Sequence, residues 1–238
     1  MRVLVSRKGF SLVELLTVIA IIAILASIIF PVMGMVGNKA RQNKCLTQLH
    51  EIGVAVQMFK QDNRQYPDVL SEPVEIDPAT SQPYDFTVKH APQTPATRLY
   101  PEYVRSSLLF HCPMSKKTST TEVDTDGATN TQFYPYDSYS YYRIDTSHVQ
   151  QHYTKSWGTD PANLPVPGDA APARDYERQL KFRNPPDDTV ITWCSWHETG
   201  GGAGVNGKAP VLFLDGHADA LPAGIVETQK WRVQPKKE

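Results

Sequence analysis

The groups best able to do chemistry in this 238-residue chain fall in three places. Cys194-Ser195-Trp196-His197 and Asp215-Gly216-His217-Ala218-Asp219 offer a thiolate, imidazoles and carboxylates. Four such ligands converging would hold zinc, and a catalytic zinc needs one position left open. Cys194, His197 and His217 are the set a metalloenzyme would use, brought together if strands at 189 to 196 and 210 to 214 pair. Each also has a plainer account: Asp215-Gly216 as a hairpin turn, Cys194 as a buried strand residue, His197 as the entry to the glycine-rich loop Thr199 to Gly207. The plainer account is preferred. A nucleophile elbow, a phosphate loop and a zinc-protease helix are all missing from the sequence, so no enzymatic role is expected.

Asp124-Thr125-Asp126-Gly127-Ala128-Thr129-Asn130 places oxygen ligands at alternate positions with a glycine for the turn, as calcium loops do. Asp124, Asp126 and Asn130 would be the ligands. The segment lacks the third early carboxylate and the bidentate Glu of an EF-hand, and Asp-Gly turns are common in plain polar loops. No cofactor is expected: a plain polar loop is the preferred reading, and a structural calcium ion is the alternative. The aromatic run Phe133 to Tyr142 offers stacking surfaces for sugars or bases, but alternate tyrosines with serines between them fit a half-buried edge strand better.

The third place is Arg7-Lys8-Gly9-Phe10-Ser11-Leu12-Val13-Glu14-Leu15-Leu16. From Leu15 to Val36 no residue is charged, a run as long as a bilayer crossing, which takes about 20 residues. A carboxylate at the mouth of such a run costs several kcal/mol unless it is paired. Cleavage after Gly9 would supply the partner, because Phe10 would then carry a free amine four positions from Glu14. The same amine could meet Glu14 of a neighbouring subunit, hiding both charges and setting the axial register between two helices. A secretory signal peptide explains Arg2, Arg7, Lys8 and the small residues Ala23 and Ala26, but the apolar run continues past them through Ile28, Ile29, Phe30 and Val32. A plain anchor leaves Gly9-Phe10 and Glu14 without a reason.

These groups need elements to hold them. Leu46, Leu49, Ile52, Val56 and Phe59 step by three and four residues, with Gln48, His50, Glu51, Gln57, Lys60 and Gln61 opposite, which is the pattern of an amphipathic helix. No turn cluster separates it from the apolar run. One helix is therefore expected from about Ser11 to about Asp62, ending near Tyr66-Pro67 and roughly 80 Å long at 1.5 Å per residue. Pro31, with Gly34 and Gly37 close behind, predicts a kink or a local melt within it. Beyond Asp68 the chain is rich in Pro, Asp, Ser, Thr and Tyr, so short strands joined by long loops follow: Asp85 to Lys89, Tyr139 to Ile144, Thr189 to Trp196, Pro210 to Leu214 and His217 to Leu221. Asp215-Gly216 between two apolar runs is a strong hairpin signal. Thr118 to Phe133 and Asp160 to Asp175 read as loops. The fold class is α+β, a long kinked helix packed on a small antiparallel sheet.

Composition sets outer limits. Hydrophobic residues make up 40% of the chain, with room for the anchor and one ordinary domain. The formal charge is -1, from 24 basic and 25 acidic residues. Nucleic acid is not an expected partner. Basic residues flank both ends of the apolar run, Arg2, Arg7 and Lys8 before it and Lys39, Arg41 and Lys44 after it, so charge alone leaves the orientation open. The 3 cysteines, Cys45, Cys112 and Cys194, allow one internal bridge, and any of the pairs is open.

Gly9-Phe10-Ser11-Leu12-Val13-Glu14 after a short basic leader resembles the processing signal of type IV prepilins and type II secretion pseudopilins. Cys45-Leu46-Thr47-Gln48-Leu49 with Ile52-Gly53, then Tyr66-Pro67, Phe110-His111-Cys112-Pro113 and Val211-Leu212-Phe213-Leu214-Asp215-Gly216-His217 are similar in order and spacing to secretion-pathway G-like proteins. The resemblance implies a pilin-like fold in four parts: a cleaved leader at 1–9, the transmembrane half of the helix at 10–37, its amphipathic half at 38–66, and an extracytoplasmic β-rich domain at 67–238. It implies a structural filament subunit, cut after Gly9 and methylated on Phe10 by a prepilin peptidase, with Glu14 serving assembly and Pro31 allowing the helix to extend. Its partners would be copies of itself and related subunits, the peptidase, an inner-membrane assembly platform and the lipid bilayer. Its place would be the bacterial inner membrane, crossed once with the N-terminus cytoplasmic, or an extracellular filament. The resemblance also implies a Cys45–Cys112 bridge with Cys194 left reduced, and lends family support to calcium in a loop. The alternatives are a minor tip subunit or adhesin binding a ligand through its loops, and the membrane-tethered metalloenzyme described above.

Overall fold

The computed structural model of the chain describes residues 11–71, 98–119, 122, 124–128, 131–133, 137–143, 147, 149–153, 155–158, 175–197 and 207–236. It forms two compact units, Met1–Arg41 and Gln42–Glu238. Helix α1 (Leu12–Asn63) contributes to both. The expected strand at Asp85 to Lys89 and nearly all of the expected loop at Asp160 to Asp175 lie outside the described residues.

In the first unit α1 begins with a reciprocal cap. The Ser11 amide donates to Glu14 Oε2 at 2.8 Å, and the Glu14 amide donates to Ser11 Oγ at 3.2 Å. Two of the helix's orphan amides are thereby satisfied by side chains from a Ser-x-x-Glu spacing. Leu12–Phe30 follows with a mean hydropathy of 2.8 and none of it buried, long and apolar enough to cross a membrane. The helix continues through Pro31 without interruption, so the local melt expected there is not seen. A missing amide at one position leaves the flanking turns bonded.

In the second unit the rest of α1 buries one face: Cys45, Leu49, Ile52, Ala55, Val56 and Phe59. The observed stripe starts at Cys45, whereas the expected one started at Leu46, which is half-buried. Gln48, expected on the wet side, is buried, and its amide nitrogen donates to the carbonyls of Leu108 and His111 at 3.1 Å each. A polar side chain goes inside here because it satisfies backbone groups that would otherwise be stranded. Arg64 adopts a left-handed conformation (φ 58°) and its amide returns to Lys60 O at 2.8 Å, closing the helix three residues before Pro67.

Strands β1 (Asp124–Asp126) and β2 (Thr131–Phe133) pair antiparallel, as do β3 (Tyr141–Arg143) and β4 (Val149–Gln151). The segment Thr118 to Phe133, expected as loop, therefore contains a small hairpin, made by backbone pairing that its polar side chains do not announce. The main sheet is β5 (Val190–Trp193), β6 (Lys208–Phe213) and β7 (Ala218–Pro222), antiparallel in that order. Asp215-Gly216 turns β6 into β7 as expected, with Gly216 at φ 86°, a conformation that favours glycine. Ile191, Leu212 and Leu214 pack in one core with the buried face of α1. Val190, Trp193, Val211, Phe213 and Leu221 form a second core with Val226 of the short helix α2 (Ile225–Gln229). The two cores take Val190 with Trp193 and Ile191 with Cys194 because the register of β5 against β6 slips between Val190 and Thr192.

Candidate functional site

Two places in the molecule can do chemistry, one in each unit. In the first, Glu14 lies in the opening turn of α1, its carboxylate held by the Ser11 amide at the start of the bare apolar helix. Gly9 and Phe10, the expected processing residues, lie outside the described residues. The side chain of Pro31 is likewise outside the description, although the helix around it is formed.

The second unit gathers what the sequence scatters. The sulfurs of Cys45, Cys112 and Cys194 and a ring nitrogen of His197 all lie within 4.8 Å of one another. Cys45 arrives on the buried face of α1. Cys112 follows the 3-10 turn Ser107–Phe110, fixed by its amide to Ser138 Oγ at 3.1 Å. Cys194 stands just past β5, its amide donating to Pro210 O at 2.9 Å, and His197 comes three residues later on the turn that leaves the strand. All three cysteines are fully buried and free, and His197 is 9% exposed. The expected Cys45–Cys112 bridge is thus not formed, and Cys194, free as expected, shares the same pocket.

Hydrogen bonds converge on the sulfurs. Cys112 Sγ and His197 Nε2 are 3.2 Å apart, the Met114 amide donates to Cys112 Sγ at 3.4 Å, and the Tyr139 hydroxyl donates to Cys45 Sγ at 3.3 Å. The same Tyr139 proton is shared with Gln48 Oε1 at 3.1 Å. Burial pushes the Cys45 and Cys194 thiols well up, while hydrogen bonds from Cys194, Cys45 and His197 hold Cys112 down.

Other expected ligands lie elsewhere. His217 is not among the residues that converge: its amide is held by Asp215 Oδ1 at 2.8 Å and its ring lies 3.6 Å from Asp219. The set Cys194, His197 and His217 is therefore corrected, since the tight Asp215 turn keeps His217 with its own hairpin. Asp124 and Asp126 stand in β1, and Asp126 Oδ1 accepts the Ala128 amide at 3.1 Å in the turn. Asn130, the third expected calcium ligand, lies outside the described residues. A buried serine and histidine also meet, Ser195 Oγ and His152 Nε2 at 3.0 Å, but Glu227 contacts the serine at 3.4 Å and the Trp193 ring nitrogen at 2.8 Å. A hydrolytic triad needs its carboxylate behind the imidazole and its serine open to substrate. Ser195 is 2% exposed, so this network is structural.

Residues 5–30 match the family model described as the prokaryotic N-terminal methylation motif. The chain is 32% identical over 99 residues to type II secretion system core protein G of Klebsiella michiganensis, covering 38% of this chain and 68% of that protein. It is 34% identical over 98 residues to the protein of the same name in Aeromonas hydrophila, covering 37% and 67%. With that of Pectobacterium carotovorum it shares 30% over 98 residues, covering 37% and 62%. The chain thus spans about two thirds of the length of these curated relatives, and well under half of its own residues take part. No solved structure matches it significantly.

Proposed function

This chain belongs to the family of type II secretion system core protein G, and from that premise we propose that it is a structural subunit of a pseudopilus-like filament. The observation that carries the reading is Leu12–Phe30, a helix with a mean hydropathy of 2.8 and none of it buried. A surface of that kind requires lipid before assembly and the same helix of neighbouring copies after it. The chain is held in the inner membrane with its first residues in the cytoplasm and the second unit outside. A prepilin peptidase cuts after Gly9 and methylates the new amine of Phe10. Subunits then associate with copies of themselves and related pilins on an inner-membrane platform.

Glu14 is the assembly residue. Its position in the first turn, beside Ser11, supports the reading because a carboxylate kept there is ready for the amine of an arriving neighbour. Catalysis forms no part of this role.

Intact mass of the chain extracted from membranes tests the processing step. Loss of residues 1 to 9 with one added methyl group supports it, and an uncut chain or a cut after Ala23 or Ala26 overturns it. Replacing Glu14→Leu leaves membrane insertion unchanged and reduces filament yield at least tenfold, read by shearing and immunoblot. Undiminished filaments in that variant would remove Glu14 from the assembly argument.

A further inference from the structure

We propose that Cys45, Cys112, Cys194 and His197 bind one zinc ion whose role is to hold the second unit together. Three sulfurs and one imidazole nitrogen form the donor set of a Cys3His structural site, and soft thiolates with imidazole select zinc over calcium or magnesium. The dimensions agree. Zinc–sulfur bonds of about 2.3 Å in a tetrahedron set sulfurs about 3.8 Å apart, and all four donor atoms here lie within 4.8 Å of one another. The site is closed: the cysteines are fully buried, and four protein ligands complete a tetrahedron with no position left for water or substrate. Such a zinc is a fastener, with no part in catalysis.

The surroundings are those of metal-bound thiolates. The Met114 amide, two residues after Cys112, and the Tyr139 hydroxyl both direct a proton at a ligand sulfur. Donors of this kind orient ligand sulfurs and offset their charge. A disulfide accounts for less, because it would consume two of the sulfurs and leave a thiol and an imidazole crowded against it with no role. The four ligands come from three separated stretches of chain: the buried face of α1, the turn after Phe110, and the exit of β5. One ion would tie all three in place of the single tie a bridge could make. The binding reaction is balanced by proton release, since each thiol still protonated gives its proton to solvent as its sulfur takes the metal.

The test uses the full chain, purified in detergent without chelators. Elemental analysis is expected to find about one zinc per chain. Exchange with cobalt(II) should give the strong visible absorption of a tetrahedral thiolate site. Cys194→Ser and His197→Gln should each lower bound zinc at least tenfold, while His217→Ala keeps it. The cobalt spectrum of the unmutated chain needs no variant to fold. Three results would each overturn the proposal: a metal-free chain whose mass is short by two hydrogens, marking a disulfide; a cobalt spectrum without tetrahedral thiolate bands; or zinc undiminished in both ligand variants. None of these bears on leader cleavage or on Glu14, so the proposal stands or falls apart from the filament role.

Discussion

The two units of this molecule treat apolar surface in opposite ways. In Leu12–Phe30 no residue of the helix is buried, whereas from Cys45 to Phe59 the same helix buries a full stripe against the sheet and its loops. The first is helical through its Ser11 cap and its own backbone ladder, and its apolar side chains are exposed. The second is held by packing. One element thus serves two environments, and the contrast locates where the molecule looks outward for contacts.

Substituting one residue type in both regions tests the contrast most severely. Ile52→Ala removes a fully buried side chain and should destabilise the second unit by about 2–5 kcal/mol. Ile24→Ala, at a site 62% exposed, should change it by less than about 0.5 kcal/mol. Denaturant unfolding of the detergent-held chain followed by tryptophan fluorescence reads this cleanly, because all 4 tryptophans lie beyond Gln42. Equal effects at the two sites would erase the distinction.

Acid should divide the regions too. Burial lowers His152 from 6.5 to about 3, so between those values the unfolded chain binds a proton that the folded chain refuses. The stability His152 contributes is complete above pH 6.5 and is lost as pH falls toward 3. At most about 1.4 kcal/mol per pH unit follows from one such group. His152→Gln should flatten the unfolding profile between pH 6.5 and 5, while circular dichroism from the apolar helix stays constant. A profile of unchanged slope in the variant would assign the acid sensitivity to other groups.

Glycines give the finest comparison. A Cβ at Gly53 would come within 3.1 Å of Leu212 Cδ1, while at Gly37 nothing lies within 4 Å. Gly37→Ala should therefore stabilise its helix by about 0.5–1 kcal/mol. Gly53→Ala sets that same gain against crowding of about 1 kcal/mol or more, for a net change near zero or unfavourable. Amide hydrogen exchange along α1 would resolve the two. A stabilised Gly53→Ala would mean that Leu212 yields without loss.

Much of this was legible in the sequence, for physical reasons that differ by element. The long helix was visible because uncharged length and the three-four step both leave a one-dimensional trace, and the β6–β7 hairpin because Asp215-Gly216 is a local signal. Ser11-x-x-Glu14 is equally local, a capping spacing whose carboxylate carries a cost in lipid as well. Gln48 was misplaced because polarity alone puts glutamine outside, and only the carbonyls of Leu108 and His111, some 60 residues away, bring it in. The thiol cluster leaves a partial trace: Cys194 and His197 stand three apart, a ligand spacing on a turn. Nothing local told where Cys45 and Cys112 would meet them.

The slip in β5 sets which side chains face α1. A strand counts by twos, so a residue and its next-but-one neighbour belong to the same side. Had the count run unbroken from Val190, Trp193 would sit with Ile191 and Cys194 with Val190, and the thiol would be turned away from α1. One extra residue against β6 changes odd to even. The chemistry of the second unit is thus decided by parity: deleting Ile191, the extra residue itself, would leave Thr192, Trp193 and Cys194 facing as they do, whereas regular pairing with Ile191 retained would turn Trp193 and Cys194 over.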